Sequence, residues 1–176
     1  MIKIKTPLTE NILEKLKIGD EILLSGTIFT ARDAAHKRLS ELLHSNKKLP
    51  FDIKGAVIYY TGSTPAKPEQ VIGSCGPTSS YRMDKYTPKL LEHGLKATIG
   101  KGSRSKEIIA SMKKHKAVYF AATGGVGALI SKCVKKSEII AFPDLGCEAI
   151  HRLNIKDFPL IVANDIYGND LYNEII

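Results

Sequence analysis

Brief apolar runs bounded by turn residues recur along the chain, at residues 20–25, 55–61, 97–99, 117–122, 137–141 and 160–163, with stretches of helical period between several of them. Such runs read as strands, and apolar residues at i, i+3 and i+4 read as amphipathic helices. The clearest helix spans residues 30–44, where Ala31, Ala34, Ala35, Leu39, Leu42 and Leu43 form an apolar face and Thr30 is the expected N-cap. A second follows Arg82 and ends at Gly94. A third begins at Ser103 and runs through Ile108, Ile109 and Met112; a fourth follows Gly124, Gly125 and Gly127 and carries Ala128, Leu129 and Ile130. The last quarter is more β-like, with Tyr167, Gly168, Asn169 and Asp170 as a turn. Helices that alternate with strands must cover a sheet, so the expected class is a layered α/β domain. No repeat, low-complexity tract or linker divides the 176 residues, and a single domain over 1–176 is expected.

Composition narrows the function classes. Hydrophobic residues at 43% and charged residues at 25% exclude a disordered, collagenous or disulfide-dense chain. The longest apolar stretches, such as 117–122 and 160–163, fall far short of the roughly 20 residues a membrane-spanning helix needs. The sequence MIKIKTPLTE lacks the apolar core of a secretory signal, so a cytoplasmic location is expected. Lys and Arg number 26 against 18 Asp and Glu, a net charge of +8. An acidic counterpart is therefore expected: nucleic acid, an anionic substrate or an acidic protein. A nucleic-acid module would interleave aromatics with its basic residues. Here aromatics are 7% with no Trp and do not cluster with the lysines, which disfavours that class. Cys75, Cys133 and Cys147 are odd in number, widely spaced and without a CxxC pair, so neither a disulfide framework nor a metal site in this chain is expected.

Four strand-to-helix junctions join small residues to cations or hydroxyls, and free N–H groups at such junctions favour anions. In SGTIFTARDAAH (residues 25–36), Arg32 and His36 stand one helical turn apart. A cation in a first turn opposes the helix dipole, which an anionic ligand would justify; pairing of Arg32 with Asp20 or Asp33, and packing of His36, is the other reading. In IGSCGPTSSYRMD (72–84), a tight turn is followed by Thr78, Ser79 and Ser80, then Arg82. Those hydroxyls present donors to a ligand or cap the next helix. In ATIGKGSRSKE (97–107), Lys101 lies between two glycines, where backbone can approach a ligand, but the Walker pattern is absent. AATGGVGALI (121–130) lacks a full GxGxxG and reads as close helix-on-strand packing. Arg32, Arg82 and Lys101 together suit a small polyanion such as a dicarboxylate, with Thr78 or Ser79 as the nearby proton-transfer groups.

The segments GDEILLSGTIFTARDAAHKRL, GPTSSYRMD, GKG and DFPLIVANDIYGNDLY resemble the β subunit, or carboxy-terminal domain, of the iron-sulfur class I fumarases and the related L(+)-tartrate dehydratases, over about residues 4–174. The resemblance implies a swivelling β/β/α fold and a hydro-lyase that interconverts fumarate and L-malate, or dehydrates L(+)-tartrate. It also implies a partner α subunit, in an α2β2 assembly, that holds a [4Fe-4S] cluster whose open iron polarises the leaving hydroxyl. By motif, Arg32 and Arg82 would grip substrate carboxylates, Lys101 would add a contact and Thr78 would remove the proton next to a carboxylate. Asp33, His36 and Ser79 would support them. Cys75 would be a small turn residue and not a cluster ligand. His151 stands where the family commonly has tryptophan, a position expected to be structural.

Overall fold

The computed structural model describes residues 1–123 and 127–174. Seven strands form one sheet: β1 (Ile2–Lys5), β2 (Glu21–Thr30), β3 (Val57–Tyr59), β4 (Ala97–Gly100), β5 (Val118–Ala121), β6 (Val134–Ala141) and β7 (Ile150–Asn164). The helices are α1 (Glu10–Leu13), α2 (Asp33–His44), α3 (Thr87–Glu92), α4 (Lys106–His115), α5 (Gly127–Ile130) and α6 (Leu171–Glu174), with 3₁₀ turns at Ser80–Met83, Ser131–Cys133 and Pro143–Glu148. Among the described residues no helix is long and apolar enough to cross a membrane.

Strands β1 to β5 pair in parallel in chain order, and α2, α3 and α4 make the crossovers that parallel neighbours require. The long β7 runs antiparallel to β2 on one side and to β5 and β6 on the other. Pairing therefore runs from β2 through β3, β4, β5 and β7 back to β2, closing the strands on themselves.

Side chains alternate between two cores, as the period of two dictates. Val57, Tyr59, Ile99, Val118 and Phe120 point into the space enclosed with β2 and β7, against Ile22, Leu24, Leu153, Phe158 and Val162. Ile58, Tyr60 and Tyr119 point the other way, onto Leu39 and Leu43 of α2, Leu90 and Leu91 of α3, and Ile108 and Met112 of α4. Strands covered on both faces read as unbroken apolar runs, which is why they stand out in the sequence. Each fully buried Leu, Ile or Phe contributes about 1.5–3 kcal/mol.

The α/β layering expected from the sequence is present. Several boundaries differ. Thr30 does not cap α2: it is the last residue of β2, and Arg32 is the N-cap. Ser105, not Ser103, caps α4, accepting from the Ile108 N–H at 3.3 Å. The helix expected after Arg82 divides into the Ser80–Met83 turn and α3. Gly124 and Gly125, expected to open the fourth helix, lie outside the described residues, and α5 begins at Gly127. The run at 160–163 is the end of a 15-residue strand.

Candidate active site

In open parallel sheets, ligands bind beyond the carboxyl ends of the strands. Here β2 ends at Thr30 and leads into Arg32, β3 ends at Tyr59 and leads into the 60–79 loop, and β4 ends at Gly100 and leads into Lys101. Parallel register sets Thr30 beside Tyr59 and Tyr59 beside Ile99, so the three loops leave the same end of the sheet.

Backbone bonds tie these loops together. The Thr78 N–H donates to the Tyr60 carbonyl at 2.7 Å, the Lys101 N–H to the Thr78 carbonyl at 3.2 Å, and the Ser80 N–H to the Lys101 carbonyl at 2.9 Å. Ser79 and Lys101 form the corresponding β-bridge. Thr78 and Ser79 are thus adjacent to Lys101 although 22 positions or more separate them from it in sequence. Gly100 makes this approach possible: a Cβ there would lie 2.0 Å from Ser80 Oγ and 3.2 Å from the Thr78 carbonyl.

Asp33 joins the two arginines. Arg82 donates from Nε to Asp33 Oδ1 at 3.0 Å and from Nη2 to Oδ2 at 2.8 Å, a bidentate pair, and Arg32 Nε lies 3.3 Å from Oδ2. Partial burial alone would raise the Asp33 carboxyl. Its own backbone N–H, the Arg32 hydrogen bond and the charges of Arg82 and Arg32 outweigh that and hold it below the usual carboxylate range. Since Asp33 engages the Nε side of Arg82, the far edge of that guanidinium faces outward, with the side chain 41% exposed. Lys101 is exposed and makes no ion pair among the described residues.

Sequence reasoning missed Glu148. Its Oε1 lies 2.8 Å from Arg32 Nε, and its Oε2 accepts the Ala34 N–H at 2.9 Å. A resident carboxylate therefore occupies the N-terminus of α2, offsetting the cation that the sequence left unexplained. Arg32 pairs with Asp33, one of the two surface partners considered, whereas Asp20 accepts the Lys17 N–H at 2.8 Å. Glu148 lies 116 positions from Arg32, so nothing local in the sequence marks it.

Arg32 and His36 do not share a ligand-facing surface. His36 is fully buried, its Nδ1 2.9 Å from the Arg32 carbonyl and its ring edge-on to Tyr60 at 5.2 Å. Burial pushes its pKa down to about 4, with the Arg104 charge adding to the effect, so the ring is neutral and supports the N-terminus of α2 from below. His151, expected to be structural, is half-buried in β7. Its Nδ1 lies 2.9 Å from Ser137 Oγ, and its N–H donates to Thr30 Oγ1 at 2.9 Å, fixing β7 just after Glu148.

The cysteines do not converge. Cys75 is buried, and burial pushes its thiol up to about 11; Cys133 is half-buried and Cys147 exposed. Among the described residues no group of three or more His, Cys, Asp or Glu is placed to hold a metal ion. These side chains do not fit a [4Fe-4S] cluster, which needs converging thiolates.

The Fumarase C-terminus family matches residues 1–175. A Methanocaldococcus jannaschii protein provisionally named L(+)-tartrate dehydratase subunit beta is 41% identical over 174 residues, covering 96% of this chain and 89% of that protein. Fumarate hydratase 2 of Leishmania major and the anaerobic class I fumarate hydratase of Escherichia coli are each 36% identical over 166 residues, or 93% of this chain. The matched part is only 29% and 30% of those two proteins. With residues 1–175 matched by the family and with fumarate hydratases and a tartrate dehydratase subunit among its relatives, the chain belongs to the Fumarase C-terminus family of hydro-lyases.

Proposed function

We propose that this chain is the β subunit of a two-subunit class I fumarate hydratase, supplying the cationic half of a site for a four-carbon dicarboxylate. The observation that carries the reading is the Asp33 clamp, which holds Arg32 and Arg82 on the rim that also carries Thr78 and Lys101. In this reading Arg32 and Arg82 bind substrate carboxylates through their outward edges and Lys101 adds a mobile charge. Thr78 accepts the proton from the carbon next to a carboxylate. Removing that proton builds negative charge on the carboxylate, and a fixed guanidinium stabilises it without reorganising. A hydroxyl is a weak base, so the nearby cations Lys101 and Arg82 are needed to favour its deprotonated form. Ser79, in the same bridge, positions the loop.

Charge also argues that the half-site needs a companion. Arg32, Arg82 and Lys101 bring three positive charges against the two negative charges of Asp33 and Glu148, which pair with the arginines, so one net positive charge remains and a dicarboxylate dianion requires more. The rim is open to solvent, whereas proton abstraction next to a carboxylate requires a water-excluded cleft. An α subunit carrying the [4Fe-4S] cluster, in an α2β2 assembly, would supply both the missing charge and the covering wall. This chain's cysteines do not fit such a cluster, so in this reading the α subunit alone holds it. The swivelling β/β/α description suits the two cores, one between strand layers and one between strands and helices.

The M. jannaschii relative favours a second reading, an L(+)-tartrate dehydratase β subunit with the same rim. Anaerobic co-expression with the α partner, followed by parallel assays of fumarate hydration, L-malate dehydration and L(+)-tartrate dehydration, separates the two. The reading expects fumarate and malate to interconvert. A complex that turns over tartrate alone would replace it with the second.

A further inference from the structure

A buried polar network lies beside the Ser79–Lys101 bridge, and the chemistry above does not use it. Its centre is Arg104, whose side chain is wholly buried. Nε donates to Asp84 Oδ1 at 2.7 Å, Nη1 to Thr98 Oγ1 at 2.9 Å, and Nη2 to Thr87 Oγ1 at 3.1 Å and Tyr60 OH at 3.4 Å. The guanidinium also lies 5.4 Å from the Tyr60 ring centre and 5.1 Å from that of Tyr119. Asp84, two residues after Arg82, spends its other oxygen on the Ser105 N–H at 3.0 Å. A parallel link runs from Ser80 Oγ to Tyr119 OH at 2.9 Å, and from that hydroxyl to the Gly102 carbonyl at 2.8 Å.

These bonds converge on the segments that carry the cations. Asp84 anchors the turn bearing Arg82, Tyr60 holds Thr78 through its carbonyl, and Arg104 itself closes the loop that begins at Lys101. A buried ion pair is weak evidence for stability, since apolar replacements of similar volume are often neutral or better. What the fork does provide is geometry, because its four hydrogen bonds, to Asp84, Thr98, Thr87 and Tyr60, must be met at once.

We propose that Arg104 is a positioning residue of this site: with Asp84 it locks the Thr78 loop, the Arg82 turn and the Lys101 loop in one register. The proposal rests on reading the rim as half of a dicarboxylate site, and its test is read independently of turnover. Arg104→Lys keeps the charge and the reach to Asp84 but cannot also satisfy Thr98, Thr87 and Tyr60. In the full chain, amide hydrogen exchange at Ser80 and Lys101 should speed up at least about tenfold, while the Val162 amide, bonded to the Asp20 carbonyl within the ring, keeps its protection. In the complex with the α partner, kcat should fall by about 10- to 100-fold with little change in KM, because misplacement of the reacting groups acts on the transition state. Thr98→Val, which removes one acceptor and no charge, should move both readouts the same way by less. Unchanged exchange at Ser80 and Lys101, or equal acceleration at Val162, would overturn the proposal. If the wild-type complex turned over neither fumarate nor tartrate, the functional reading would fall while the exchange data still decided the role of Arg104.

Discussion

Acidifying the folded chain from about pH 7.5 to about pH 5 should weaken it, chiefly through His36, whose burial holds its pKa near 4 against an ordinary 6.5. The direction follows from proton counting. Below pH 6.5 the unfolded chain takes up a proton at this residue that the folded chain refuses until about pH 4, so the stability present above 6.5 is lost as pH falls. The loss should reach about 2 kcal/mol at pH 5 and about 3 kcal/mol once both states are protonated. His151, half-buried and also shifted down by desolvation, titrates in the same direction, so the wild-type slope alone does not isolate His36. His36→Asn does. It can keep a donor toward the Arg32 carbonyl, lacks a titrating ring, and should cost about 1–3 kcal/mol at neutral pH for the space it leaves. Urea unfolding of both proteins at several pH values should show the gap between them narrowing by about 2 kcal/mol from pH 7.5 to pH 5. A gap independent of pH would refute the reasoning.

Two other substitutions test the rim. Gly100→Ala places a Cβ 2.0 Å from Ser80 Oγ, 3.0 Å from Tyr60 Cδ2 and 3.2 Å from the Thr78 carbonyl. It should destabilise by about 1–3 kcal/mol in urea unfolding and lower turnover in the complex, because relief requires Thr78 to shift. Asp33→Asn removes ion pairs whose side chains are one-quarter to two-fifths exposed, so stability should change by under about 1 kcal/mol. Turnover should nevertheless fall about tenfold as the two guanidiniums lose their common anchor, which steady-state kinetics of the complex would show.

Most of the layering was legible because β3, β4 and β5 are buried on both faces and read as continuous apolar runs. β1 was not: in Ile2–Lys5 the apolar residues alternate with lysines over four positions, too short a pattern to separate from a terminus. β7 was legible only at its end. Asn154, Asp157 with φ of +52° and Pro159 interrupt the pattern, yet the strand continues, its register to β2 shifting between Leu24 and Gly26. The site divides in the same way. Thr78, Arg82 and Lys101 could be read because each lies in a contiguous loop whose composition is unusual. Glu148 and the Arg104–Asp84 pair act through contacts across 116 and 20 positions, which only the folded chain brings together. For His36 both readings stayed open, because helical spacing gives the angle between two side chains but not which of them faces the core; in the fold it is the buried one.

The central claim is that this chain contributes fixed positive charge to a reaction it does not complete alone. The most direct measurement is the initial rate of fumarate hydration by the anaerobically assembled complex, with Arg82 intact and with Arg82→Ala. Loss of one such group should lower the rate by about 10²- to 10³-fold. Equal rates from the two complexes, or hydration by the purified chain without its partner, would contradict the account.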